Sequence, residues 1–163
     1  MKGQGGFTLI ELLVVLALMA ILAAIGFNLN GWGNKFSAEA QAKQAYSDLM
    51  NARQTAVTQK RMVFVQFTNK GYKAYADTFP PPDGSGVLNT TADTMLVNAT
   101  VNGQVTMKNN PPLITISSDG LLSPTGSIYF SSGTSPQLNC LEWTETSMSL
   151  GLWNGTKNDC DIN

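Results

Sequence analysis

Hydrophobic and polar positions follow three rhythms along this chain. After the short leader Met1-Lys2-Gly3-Gln4-Gly5-Gly6, an almost wholly apolar run extends from Phe7 to Phe27. At about 21 residues, roughly 30 Å as a helix, it matches the hydrocarbon core of a bilayer. From Phe36 to Lys60 the period becomes helical and amphipathic. Ala42, Ala45, Tyr46, Leu49, Ala52, Ala56 and Val57 recur at three- and four-residue steps, with Glu39, Lys43, Asp48, Arg53 and Lys60 mostly elsewhere. After Arg61 the period drops to two. Strands are predicted at Met62–Thr68, Tyr72–Ala76, Leu96–Val101, Gln104–Lys108, Leu113–Ser117, Ser127–Ser131, Leu138–Trp143 and Met148–Trp153. Asn102-Gly103 reads as a hairpin turn joining the third and fourth of these. The stretch Phe79–Gly86, with three consecutive prolines, reads as a loop.

Helix first and many short strands after predict an α+β fold. The expected organisation is a leader over 1–6 and a transmembrane and assembly helix over 7–27. A loosened segment and the amphipathic second half of a spine helix follow over 28–60, and a β-rich globular domain over 61–163. The loosening is expected from Gly26 to Asn34, where three Gly and three Asn are poor helix formers. Trp32 and Lys35 suit the aqueous boundary of a membrane.

Glu11 changes the reading of the apolar run. An ionisable group in a membrane-length helix is costly and marks a functional position with a partner to be found. A secretory signal peptide and a plain single-pass anchor both compete for this segment. The first fits poorly with a six-residue leader, a long apolar run and an acid near its start. The second accounts for the length but for neither Glu11 nor the Gly-Phe junction.

Gly5-Gly6-Phe7-Thr8-Leu9-Ile10-Glu11-Leu12 resembles the class III leader of type IV pilins and type II secretion pseudopilins. The resemblance implies cleavage between Gly6 and Phe7 by a prepilin peptidase and N-methylation of the new Phe7 amine. It gives Glu11 a partner, the cationic amine of a neighbouring Phe7 in a helical stack of subunits. Downstream, Asp48-Leu49-Met50-Asn51-Ala52-Arg53-Gln54-Thr55-Ala56-Val57 followed by Met62-Val63-Phe64-Val65 resembles the GspH/FimT-type minor pseudopilins. Those proteins carry Ala-Arg-x-x-Ala late in the spine helix. Where they usually have Gly-Arg entering the last strand, this chain has Ser147-Met148-Ser149-Leu150.

The family resemblance implies an antiparallel β-sandwich-like domain packed on the spine helix. It implies a structural role in a pseudopilus or type IV pilus. The partners it implies are other pilins or pseudopilins, the prepilin peptidase, an inner-membrane assembly platform, and membrane lipid before assembly. The expected location is the inner membrane with a periplasmic globular domain, and later a filament. The rival class is a surface-displayed binding module, an adhesin or a DNA-uptake pilin.

Composition narrows the chemistry. Charged residues make up 13% of 163, the net charge is −1, and there is no histidine, the commonest general base and metal ligand. No catalytic constellation, cofactor or metal site is expected. From Lys35 to Lys73, seven Lys and Arg face only Glu39 and Asp48. After Lys108, Lys157 stands alone against Asp119, Glu142, Glu145, Asp159 and Asp161. An acidic C-terminus offers nothing to phosphates, so DNA is not an expected partner. Cys140 and Cys160, the only two cysteines, are expected to form one disulfide in an oxidising compartment.

Overall fold

The computed structural model describes residues 8–26, 29–82, 84–101, 106–108, 113–131 and 136–162. The chain divides into two compact units, residues 1–33 and 34–163.

In the first unit, α1 runs Leu9–Gly26. Among the described residues no helix is long and apolar enough to cross a membrane. The 18 residues of α1 rise about 27 Å, short of the roughly 30 Å of a bilayer core. Phe7 and Phe27, which complete the expected span, lie outside the described residues.

α2 runs Leu29–Gln59. Helix therefore resumes at Leu29, within the stretch Gly26 to Asn34 where loosening is expected, of which residues 27 and 28 lie outside the described residues. Gly and Asn are weak helix formers but keep the backbone N–H that proline lacks, so the hydrogen-bond ladder continues. Within the second unit, Ala38, Ala42, Ala45, Leu49, Ala52 and Ala56 form one buried stripe. Five of the six are alanine, which lets the helix axis approach the sheets closely. Tyr46 packs at the margin of the stripe. Val57, expected on the buried face, is 39% exposed. The helix ends with Lys60 at φ 53 and the Arg61 N–H donating to the Ala56 carbonyl at 3.1 Å, a left-handed cap closed by a six-to-one bond.

Among the described residues ten strands follow, in two antiparallel five-stranded sheets. The first has the order β3-β2-β1-β5-β6, built from β1 (Val63–Thr68), β2 (Gly71–Ala76), β3 (Thr94–Thr100), β5 (Ile114–Ile116) and β6 (Leu122–Ser123). The second has the order β10-β9-β8-β7-β4, built from β4 (Thr106–Lys108), β7 (Gly126–Ser131), β8 (Cys140–Trp143), β9 (Met148–Asn154) and β10 (Asp159–Asp161). The α+β class is as expected. The Asn102-Gly103 hairpin is not. β3 pairs with β2, while β4 pairs with β7 in the other sheet. The turn itself lies outside the described residues. A turn signal reverses the chain, but the side-chain pattern selects the partner. Val97 and Ala99 pack on the core from the first sheet. β6 and β10, with two and three residues, are too short for a period of two to show.

The core joins three layers. Val63, Val65, Phe67, Ala74, Ile114, Ile116 and Leu122 from the first sheet meet Ile128, Phe130, Leu141 and Trp143 from the second, and both meet the α2 stripe. A polar staple ties helix to sheet, the Tyr72 hydroxyl donating to the Asp48 carboxylate at 2.7 Å. Burial, and then that carboxylate, raise the Tyr72 phenol far above its ordinary range.

The excursion from β2 to β3 has no strand among its described residues but is tightly bonded. Buried Asp77 accepts the Ser85 and Gly86 N–H groups at 2.9 and 2.7 Å. Buried Asp93 accepts those of Thr78, Phe79 and Asn89 at 3.1, 3.2 and 2.7 Å. Five loop donors are thereby satisfied by two carboxylates. Gly84, at φ 84, is required on two counts: its backbone is left-handed, and a Cβ there would strike the Asp77 carboxylate.

Candidate functional site

The N-terminal helix presents what a soluble helix hides. Leu9, Ile10, Leu12, Leu13, Val14, Val15, Leu16, Leu18, Met19 and Ile21 are exposed by 47 to 79%. They occupy every side of α1, so no rotation would place a polar face toward water. Burying each large aliphatic side chain gains about 1.5–3 kcal/mol, so a surface of this kind drives association with lipid or other helices.

Glu11 lies in the first turn of α1. Its backbone N–H donates to the Thr8 hydroxyl at 3.3 Å and to the Thr8 carbonyl at 3.1 Å. Thr8 is thus the N-cap and Glu11 the third helical residue, as in a capping box. The Glu11 carboxylate sits where the helix dipole favours negative charge. The Thr-x-x-Glu spacing is the sequence signal for this cap. Gly6 and Phe7 lie outside the described residues, so the expected processing junction has no structural account.

In the second unit, Cys140 and Cys160 are joined by a disulfide with Cα atoms 5.8 Å apart. The bond links β8 to β10 although β9 lies between them. It can do so because β10 folds close over β9 at Gly151, where a Cβ would strike the Asp161 carbonyl. Tyr129 and Trp153, both half-buried, stack on each other with centroids 4.1 Å apart. Each ring therefore has one face taken. On a chain-entropy basis, closing 20 residues stabilises by about 3 kcal/mol. Replacing both cysteines by serine is expected to lower stability by about that amount, read as a lower urea midpoint with a steeper slope, because the unfolded chain without the bridge is less compact.

The acidic C-terminal groups have local partners. Asp161 accepts from Lys157 at 2.7 Å and from Asn154 at 2.8 Å, and these hold its carboxyl below the ordinary value. Asp119 pairs with Lys60 at 3.9 Å, so part of the basic middle meets the acidic C-terminal part within one chain. Burial, and then the charge of Asp159, raise the Glu142 carboxyl. A carboxyl raised by folding opposes stability once it ionises, so the penalty appears as pH rises through its folded pKa. Glu142→Gln is therefore expected to raise the melting temperature at pH 7. The gain should vanish below the carboxylate range, where both side chains are neutral.

A shallow open depression of about 360 Å³ lies on α2, lined by Met50, Asn51, Arg53, Gln54, Val57 and Thr58. Arg53 is the lone titratable group lining it, which is no basis for acid–base chemistry.

Residues 1–27 match the prokaryotic N-terminal methylation motif. Residues 41–145, more than half of the chain, match the family described as type II transport protein GspH. No curated protein and no solved structure matches. The stretch matched to the second family takes in the buried stripe from Ala42 onward, the whole first sheet and β8, and with that extent of agreement the chain belongs to the GspH family of type II transport proteins.

Proposed function

We propose that this protein is a minor pilin-like subunit of a type II secretion pseudopilus or a type IV pilus, structural rather than catalytic. The observation that carries the reading is α1, apolar on every side, behind a methylation motif. Before assembly, the segment 7–27 anchors the chain in the inner membrane, with 61–163 as a periplasmic domain and 28–60 connecting them. The leader 1–6 is removed at Gly6, and Phe7 carries the methylated amine. The protein then leaves the lipid for a bundle of sibling helices. Ala17, Ala20, Ala23, Ala24 and Gly26 are small enough for close helix approach in such a bundle. Glu11 pairs there with the Phe7 amine of a neighbour and sets the axial register, since either charge alone in an apolar bundle is strongly unfavourable.

Intact mass measurement of protein recovered from membranes tests the first step. The expected species begins at Phe7 and carries one added methyl group. A chain that retains Met1, or one trimmed beyond Ala24, would remove the basis for the proposal.

A further inference from the structure

One charged group lines the depression on α2, and it is a cation without a counter-charge. Arg53 is half-buried. Among the described residues its side chain makes no hydrogen bond and no ion pair. Met50 and Val57, three residues before it and four after, share its face of the helix and are 40% and 39% exposed.

A turn of the first sheet holds the cation in place. The turn over 117–121 is closed by the Gly120 N–H donating to the Ser117 carbonyl at 2.8 Å and the Ser117 N–H donating to the Leu121 carbonyl at 2.9 Å. A Cβ on Gly120 would come within 2.9 Å of Val57 Cγ2 and 3.2 Å of Arg53 Nε. Turn backbone therefore lies directly against both side chains. Ordering a long side chain opposes binding, and here the fold has already restricted the arginine. Its planar guanidinium suits two parallel bonds to one carboxylate.

We infer that this depression seats a carboxylate-bearing segment of a different pilin subunit, with the carboxylate on Arg53 and a neighbouring aliphatic side chain against Met50 and Val57. The inference deepens the proposed role as a filament subunit and rests on it. Charge complementarity selects the carboxylate. A nucleic acid would need several cations together, and the depression has one. A second copy is a poor source among the described residues outside α1. Its Glu39, Asp48, Asp77, Asp93, Asp119 and Asp161 already hold bonds within the fold. Its Glu142 is half-buried between buried Leu141 and Trp143, and Glu145 and Asp159 have no aliphatic residue beside them in sequence.

The test uses the full chain in membranes that hold its assembly partners. Arg53→Lys puts a primary amine at this position, and a water-soluble carbodiimide joins an amine to a carboxylate where the two are in contact. Mass spectrometry of the digest is expected to show position 53 joined to an Asp or Glu, next to an aliphatic residue, of a protein with its own N-terminal methylation motif. Lys60 and Asp119, 3.9 Å apart, provide the internal standard for the reaction. Arg53→Glu should lower recovery of the linked subunit with this chain by about tenfold or more, with an unchanged melting temperature. Lys43→Glu, exposed on α2 outside the depression, should leave recovery unchanged. A link from position 53 to a carboxylate of the same chain or of a second copy would overturn the inference. So would no link at 53 while the Lys60 standard forms, or equal recovery with Arg53→Glu and Lys43→Glu. Intact mass in the same sample reads leader removal, so a chain that begins at Phe7 but fails at position 53 sinks this inference alone.

Discussion

Trp143→Ala is expected to lower stability by about 3–5 kcal/mol, the largest loss from any single core truncation in this fold. Trp143 is 1% exposed and lies on the second sheet. Its ring stacks on Phe67 of the first sheet, with centroids 6.0 Å apart and planes 6° apart. It is thus a direct link between the two sheets. Its indole N–H donates to the Pro124 carbonyl at 2.8 Å, fixing the turn between β6 and β7. Alanine removes the contact and opens a cavity between sheets that the α2 stripe holds in place, so collapse cannot fill it. It also leaves the Pro124 carbonyl without its donor. A fall in melting temperature of about 10 °C or more is expected. Trp153→Ala supplies the comparison: that ring is half-buried and stacked on Tyr129 outside the main core cluster, so its loss should cost clearly less. Equal effects would show that the inter-sheet contact has been overvalued.

Elements with a long period were legible in the sequence, and elements defined by their partners were not. Five residues of α2 at alternating three- and four-residue steps share one buried face, so the stripe from Ala42 to Ala56 could be read directly, without its first member, Ala38. β1 and β2 were legible because Val63, Val65 and Phe67 alternate toward the core, with a two-residue turn between the strands. β10 was hidden because Asp159 and Asp161 flank Cys160 and resemble loop. What makes it a strand is its ladder to β9 and the bond to Cys140. Asp77 and Asp93 were hidden for a related reason. Their partners are backbone N–H groups of a loop, and every residue type but proline has one. At the candidate site, the apolar length of α1 and the presence of Glu11 were plain in the sequence. The Thr8 cap needed only the Thr-x-x-Glu spacing.

Glu11→Ala is expected to leave α1 folded and the leader removed, yet to reduce incorporation into filaments by about a hundredfold. The cap survives because Thr8 bonds to the backbone N–H of residue 11, which alanine retains. Alanine is also the best helix former. The carboxylate is therefore the one thing the substitution removes. In the proposed assembly it leaves the Phe7 amine of a neighbour in an apolar bundle without a counter-charge, at a cost of about 3 kcal/mol or more. In the unassembled chain the same carboxylate has no neighbouring Phe7 amine to pair with, so the substitution breaks no ion pair there. The difference falls on the assembled state alone. Glu11→Asp separates charge from reach: it keeps the carboxylate but shortens it, and should recover part of the incorporation. The readout is the filament-bound fraction measured beside the leader-processed pool. Normal incorporation of the alanine variant would show that the apolar helices alone set the register, and Glu11 would then be no more than the acidic residue of a helix cap.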